Sequence, residues 1–290
     1  MTRIAPTLLK RIGLLSLITL SWGCTGLAVT RPAADPTSEL LAKGEQQFKQ
    51  RQFTQALHTF SQAIHLAPER PEVWNARGFI YSQQRQMTEA TADFQQAVRL
   101  HPSQPMFLNN LGVAYLEQGQ FQDALQVLND ATLLSPKSSL VLIHRALAYR
   151  HLAQLDHALA DLNRALELDD HNAIAYANRA VVYGLQHNYP AAKGDLDRAV
   201  SLNSSVKEIY ESRALIQLLT GRPDLAAKDF SSAIALGASD TLVYYNRGVA
   251  RSLMGDTRNA EQDYARACGR GYNPACSSSR LLAKVSNPAI

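Results

Sequence analysis

The chain repeats itself every 34 residues, and that period constrains its fold more than any other feature. Aligned in steps of 34 from Thr37, seven units follow without an insertion: 37–70, 71–104, 105–138, 139–172, 173–206, 207–240 and 241–274. The twentieth place of each unit is alanine (Ala56, Ala90, Ala124, Ala158, Ala192, Ala226, Ala260), and so is the twenty-seventh (Ala63, Ala97, Ala131, Ala165, Ala199, Ala233, Ala267). The eighth place holds only Gly or Ala, and the twenty-fourth only Phe, Leu or Tyr. Self-similarity at one period means one supersecondary unit used many times, each unable to bury its apolar faces alone, so neighbours must stack. With 46% apolar and 19% charged residues the chain can build a core, and its Ala, Leu and Gln favour helix.

Small residues at places eight and twenty let two helices of one unit lie close, while bulky residues at four, eleven and twenty-four fill the layer between units. Each fully buried Leu, Phe or Tyr contributes roughly 1.5–3 kcal/mol. Turn residues fall where the helices should break, at Gly119-Gln120, Asn188-Tyr189-Pro190, Gly221-Arg222-Pro223 and Gly255-Asp256. Trp74, Gly78, Tyr81, Ala90, Phe94, Ala97 and Pro102 resemble the signature of the tetratricopeptide repeat, and the resemblance runs over all of 37–274. It implies an all-α superhelical solenoid of seven helix-turn-helix repeats. Gly269-Arg270-Gly271 breaks the last repeat helix, and Asn273-Pro274 has the look of an N-cap and first helical residue, so residues 274–285 are expected to form a capping helix, with the tail running to 290. The motif is specific for fold and silent about ligand.

Place seven is basic in six units: Lys43, Arg77, Arg145, Arg179, Arg213 and Arg247. Place twenty-three is Asp93, Asp161, Asp195, Asp229 and Asp263 in the five units that carry arginine. The third unit has Leu111 with Val127, and the first has Lys43 with Thr59. The two places change together, which predicts structural ion pairs between the helices of five repeats: Arg77–Asp93, Arg145–Asp161, Arg179–Asp195, Arg213–Asp229 and Arg247–Asp263.

In the family that the repeats resemble, places two, five, nine, twelve and thirteen of the first helix line the concave face. Here those places are largely apolar, and Val113, Leu116, Ile143, Leu147, Val181, Leu185, Leu215, Leu219, Tyr245 and Val249 are the candidate partner-binding residues. An exposed apolar strip marks an interaction site, which points to an apolar or amphipathic peptide or helix of a partner. Burial by tight winding or by the chain's own tail is the competing reading. The apolar character of places five and nine leaves out the lysine–asparagine clamp of the chaperone-binding relatives. Asn110, Asn178 and Asn246 at place six match, in only three units, asparagines that bind peptide backbone in some relatives.

The first 23 residues have the layout of an export signal: basic Arg3, Lys10 and Arg11, then Ile12 to Trp22 without a charge. Leu20-Ser21-Trp22-Gly23-Cys24 resembles a bacterial lipobox, although Leu20 stands one place early and Trp22 is bulky. The resemblance implies lipidation of Cys24, a tether over 24–36, and, because Thr25 follows, an outer-membrane lipoprotein facing the periplasm. An uncleaved anchor over Ile12–Val29 and simple cleavage remain as alternatives. Beyond residue 23 the chain has 26 basic and 25 acidic side chains, too even a balance to draw nucleic acid. With Cys24 lipidated, Cys268 and Cys276 can form a disulfide in an oxidising compartment; two free thiols are the alternative.

None of the eight histidines falls in a ligand spacing; His144 and His151 share a helix face two turns apart, too far for one ion. No phosphate loop or G-x-S-x-G is found, so no metal, cofactor or enzymatic activity is expected. The expected function is a membrane-attached scaffold or assembly factor for a protein partner. A self-associating structural protein, or an accessory subunit of an envelope enzyme complex, is the alternative.

Overall fold

In the computed structural model, residues 35–278 are described, and they are helical with no strand among them. The leader, Cys24 and most of the tether lie outside the described residues, as do residues 279–290. Fourteen helices are complete: α1 Pro36–Lys49, α2 Phe53–Leu66, α3 Pro71–Gln83, α4 Met87–Leu100, α5 Pro105–Glu117, α6 Phe121–Leu134, α7 Ser139–His151, α8 Leu155–Leu168, α9 Ala173–Leu185, α10 Tyr189–Leu202, α11 Lys207–Leu219, α12 Pro223–Ala235, α13 Thr241–Leu253 and α14 Thr257–Cys268. From α3 on, every first helix begins at place one, and all seven second helices begin at place seventeen. The described chain forms two compact units, one ending at Leu168 with repeats one to four, the other starting at Asp169 with repeats five to seven.

Within each unit every first helix packs along the second helix of its own repeat and then against the next repeat. The alanines of places twenty and twenty-seven lie in the contact, and all fourteen are fully buried. At this distance a methyl at place eight is already too much in some repeats. A Cβ on Gly44 would stand 2.5 Å from the Phe60 ring, and one on Gly248 2.7 Å from Tyr264. Phe60, Phe94, Leu128, Leu162, Leu196 and Phe230, all at place twenty-four, fill the core above these small residues.

The turn inside each repeat is the same seven times. Place fifteen has positive φ (Arg51, Arg85, Gly119, Ala153, His187, Gly221, Gly255). The N–H of place sixteen donates to the carbonyl of place eleven at 2.8–3.0 Å, the six-to-one bond of a Schellman ending. Proline starts α1, α3 and α5, where its missing N–H costs nothing. Side chains of Asp35, Ser138, Asn172, Asn188, Asp240 and Asp256 cap other helix starts.

In the C-terminal unit residues 273–278 are also helical, and the rest of the expected capping helix lies outside the described residues. Ala275 is buried in the core of this unit, and the Tyr272 ring meets Tyr245 edge-on at 5.0 Å. A disulfide joins Cys268 to Cys276 across the turn.

Candidate partner-binding face

The sequence-derived site residues fall into two sets with different fates, the ion pairs and the concave face. All five Arg–Asp pairs are bidentate. Arg77 Nε and Nη2 donate to Asp93 Oδ2 and Oδ1 at 2.7 and 2.8 Å, and Arg145 does the same to Asp161 at 2.8 and 2.7 Å. Arg179–Asp195, Arg213–Asp229 and Arg247–Asp263 repeat the geometry at 2.7–2.9 Å. The aspartates are buried. Burial pushes the Asp93 carboxyl up even beside its arginine, while the hydrogen bond to Asp93 raises the Arg77 guanidinium. Tyrosine or tryptophan at places four and eleven flanks the cation, as with Arg77 5.1 Å from the Trp74 ring and Arg179 5.5 Å from Tyr176.

Sequence reasoning missed a third partner. The remaining Nη1 reaches place twenty-five of the preceding repeat: Arg77 donates to Ser61 Oγ at 3.1 Å, Arg145 to Asn129 Oδ1 at 3.2 Å, Arg213 to Asp197 Oδ1 at 2.9 Å and Arg247 to Ser231 Oγ at 3.1 Å. One guanidinium therefore ties three helices and two repeats. The signal was present, since an acceptor side chain stands at place twenty-five ahead of each of these arginines, while Ala265 stands there in the last repeat. These arginines are spent on internal contacts and do not form a ladder for an acidic ligand.

The concave face needs a correction. Val113, Leu116, Ile143, Leu147, Val181 and Leu215 are buried rather than forming an open strip. The reason lies in their helices. In α5 and α7 apolar side chains run nearly all the way round, and a helix of that kind has no side to leave in water. α5 buries Phe107, Leu108 and Leu111 together with Val113 and Leu116, and α7 buries Val141 and Leu142 together with Ile143 and Leu147. In the C-terminal unit Val181 and Leu215 belong to the same core as Ile209 and Phe230. The asparagines of place six are buried too. Asn110 Nδ2 donates to Asn75 Oδ1 at 2.8 Å, and Asn178 Nδ2 donates to the Ile174 carbonyl at 3.0 Å.

Four candidates are only partly buried, packed on the edge of the core: Leu185, Leu219, Tyr245 and Val249, all in the C-terminal unit. Leu185 and Leu219 occupy place thirteen of α9 and α11, and the same place of α13 is Leu253, 56% exposed. α9, α11 and α13 touch in succession. Place thirteen thus forms a row of three leucines across repeats five to seven, flanked by Tyr245 and Val249. In repeats one to four the same place is Lys49, Gln83, Glu117 and His151.

Each unit also buries unpaired charge. In the N-terminal unit Arg150 is almost fully buried, and burial brings it down to about 10. Its Nε and Nη1 find no acceptor, and Nη2 meets His151 Nε2 at 2.9 Å. Burial holds His144 at about 4, and burial with Arg150 beside it holds His151 at about 4. His144 Nδ1 meets Asn109 Oδ1 at 2.7 Å, and His151 stacks on Phe121 at 4.1 Å. In the C-terminal unit burial raises Glu211 to about 7, helped by Glu208 and Asp240 and opposed by Lys207. Among the described residues no group of three His, Cys, Asp or Glu is arranged for a metal ion, and no helix is long and apolar enough to cross a membrane.

Against known proteins, models of the tetratricopeptide repeat match residues 41–105, 80–139, 141–172 and 183–241. No curated protein matches the sequence. Among solved structures, a tetratricopeptide repeat protein from Parabacteroides merdae is similar over 85% of this chain and 98% of its own, with TM-score 0.69 and 21% identity. The pilF protein of Pseudomonas aeruginosa is similar over 72% of this chain and 94% of its own, with TM-score 0.60 and 17% identity. The Cut9–Hcn1 hetero-tetramer of APC/C contains a chain similar over 74% of this one and 42% of its own, with TM-score 0.67 and 18% identity. At these identities the likeness is one of fold.

Proposed function

This chain belongs to the tetratricopeptide repeat family, and on that premise we propose that it is a non-enzymatic scaffold that holds an apolar or amphipathic segment of a partner protein against repeats five to seven. Proteins of this family generally mediate protein–protein interactions. The observation that carries the reading is the leucine row of Leu185, Leu219 and Leu253, continued by Tyr245 and Val249. Leu253 is 56% exposed, and Leu185 and Leu219 at the same place are only partly covered by the core they pack on, so the row leaves apolar surface in water and favours a partner that covers it. A helix with apolar anchors at three- and four-residue spacing suits such a row.

The leader sequence supports an exported protein held at a membrane, with Cys24 as the lipidated residue of an outer-membrane lipoprotein facing the periplasm, or with the leader itself as the anchor. The even charge balance beyond the leader, together with arginines engaged by aspartates, favours a protein partner over nucleic acid.

The test is in-cell crosslinking from a photoreactive residue at position 219, with mass spectrometry of what is captured. The expected result is a discrete partner that is lost in a Leu185→Glu, Leu253→Glu double variant of unchanged helicity. Capture that is indifferent to the glutamates would overturn the reading. Capture of a second copy of this chain would replace it with self-association.

A further inference from the structure

The C-terminal unit contains a small cavity of about 30 Å3 among α11, α12 and α13, and its walls include Glu211, Leu215, Asp240, Leu242 and Asn246. Its polar groups are two carboxylates and the Asn246 side-chain amide. Glu211 is only 7% exposed and has no hydrogen bond or salt bridge among the described residues. Asn246 is 6% exposed, and its Oδ1 is buried without a donor. Asp240 caps α13 through Oδ1, which accepts from Leu242 N at 2.8 Å, and its carboxylate adds negative charge at the rim. The one cation that acts on Glu211, Lys207, also lies 4.0 Å from Glu208.

A buried carboxylate beside an unfilled amide oxygen is unfavourable unless something donates to both. The space admits a group the size of one water molecule. A primary ammonium has that size, three donors and a positive charge; a guanidinium is planar, larger and needs a wider slot. Leu215 and Leu242 in the wall suit the methylenes of a lysine stem, which pack on apolar surface while the charged head finds its acceptors.

We propose that this cavity is a subsite for a lysine ammonium carried by the partner segment, received by Glu211 and Asn246 with Asp240 at the entrance. The proposal rests on the reading of repeats five to seven as a partner-binding face, and it narrows the partner to an amphipathic segment with a lysine among its apolar residues. A water molecule filling the cavity is the alternative that the test must separate.

The experiment uses the full chain and n-butylammonium chloride as the probe, with tetramethylammonium and methylguanidinium chlorides at equal concentration as comparators. The carboxyl 13C signal of Glu211 is followed against pH. n-Butylammonium is expected to lower the Glu211 titration midpoint by about one unit, a tenfold change in proton affinity, and to move the Asn246 side-chain amide signals. The comparators should leave both unchanged. Glu211→Gln should abolish the n-butylammonium response at Asn246, and the unsubstituted chain decides the question even where that variant folds poorly. Equal responses to all three cations, or none to any, would overturn the subsite and leave water as the occupant. No partner protein enters this experiment, so its failure leaves capture at position 219 standing. Failure of capture, in turn, leaves a positive ammonium titration standing.

Discussion

Repeats one to four and repeats five to seven share one backbone plan and differ in what they place on it. In the C-terminal unit all three repeats carry the Arg–Asp pair, place thirteen is leucine each time, and the unpaired buried charge is an acid, Glu211. In the N-terminal unit only two of four repeats carry the pair. Place thirteen there is Lys49, Gln83, Glu117 and His151, and the unpaired buried charge is basic, Arg150. Leu111 with Val127 in repeat three occupies the places of the ion pair, and both pack in the apolar cluster of that unit. The contrast separates what the fold requires from what it only accepts. Alanine at places twenty and twenty-seven never varies. A cation opposite an aspartate can be replaced by two apolar side chains, and what place thirteen carries is free for function.

The largest effect expected on this comparison comes from breaking one pair. Asp229→Ala leaves the Arg213 guanidinium with only Asp197 at 2.9 Å and should cost about 3–5 kcal/mol in urea unfolding of the C-terminal unit. Copying repeat three into repeat six, with Arg213→Leu and Asp229→Val together, should be near neutral, because both charges leave at once. A double variant as damaged as the single one would mean that the pair contributes stability that apolar packing cannot supply. The two repeat types would then not be alternatives.

The buried titratable groups of the two units, a carboxyl in one and two imidazoles in the other, predict opposite pH responses. Glu211 has a folded value near 7 against 4.5 when exposed, so its contribution favours the folded state below pH 4.5 and is lost as pH rises through 7, by up to about 3 kcal/mol. Glu211→Gln should therefore stabilise the C-terminal unit at pH 8 and leave it unchanged at pH 4. His144 sits near 4 against 6.5, so its contribution is present above pH 6.5 and is lost as pH falls through 4, by up to about 3 kcal/mol; His151, partly open to solvent, shifts the same way and contributes less. Hydrogen exchange at pH 5 and pH 8 should show the N-terminal unit less protected at the lower pH and the C-terminal unit less protected at the higher. Parallel responses in the two units would refute these assignments to Glu211 and to His144 and His151.

Place thirteen gives a smaller effect and a functional one. Leu253→Glu should weaken partner capture at least tenfold, about 1.4 kcal/mol, while changing stability by under about 1 kcal/mol, since this side chain is more exposed than buried. Glu117→Leu in the N-terminal unit should leave capture unchanged. An equal loss of binding and of stability in Leu253→Glu would recast the leucine row as core.

Much of this was legible in the sequence, because a repeat protein supplies its own comparison set. The helix starts could be placed from the recurring alanines and the turn residues. The Arg–Asp pairing could be read because Leu111 and Val127 lose both charges in the same repeat. The contact from Nη1 to place twenty-five was equally available, but it crosses from one repeat to the next, and a search within single repeats does not meet it. The open strip expected at Val113, Ile143 and Leu147 is what the structure overturns, in favour of the competing reading of burial. Their places are open in the family that the repeats resemble, and only the sequence of the whole helix, apolar on both sides in α5 and α7, carries the opposite signal. The cavity at Glu211 was not legible at all. It depends on how far α11 and α13 stand apart, and no period encodes that distance.

The smallest effect tests the shared plan itself. Every repeat turns through a positive φ at place fifteen, a conformation that costs an L-residue roughly 1–2 kcal/mol and glycine almost nothing. Repeats five to seven carry Gly221 and Gly255 there, with His187 as the exception. Repeats one to four carry Arg51, Arg85 and Ala153, with only Gly119. Glycine also gains freedom in the unfolded chain, which returns about 0.4–1 kcal/mol of the advantage. Ala153→Gly should therefore raise the stability of the N-terminal unit by about 0.5–1 kcal/mol and Arg51→Gly by a similar amount, with Arg85→Gly slightly less because it gives up the exposed contact of Arg85 Nη1 with Glu117 at 3.4 Å; the effects should be approximately additive because the turns share no side-chain partner. His187→Gly should gain less, since it gives up the contact of His187 Nδ1 with the Tyr189 hydroxyl at 3.0 Å. Gly221→Ala should lose about 1 kcal/mol. Denaturant midpoints of the four glycine variants and the one alanine variant provide the check. A destabilised Ala153→Gly would show that the turn of repeat four does not hold the conformation of Gly221 and Gly255, and that the two units do not share one turn.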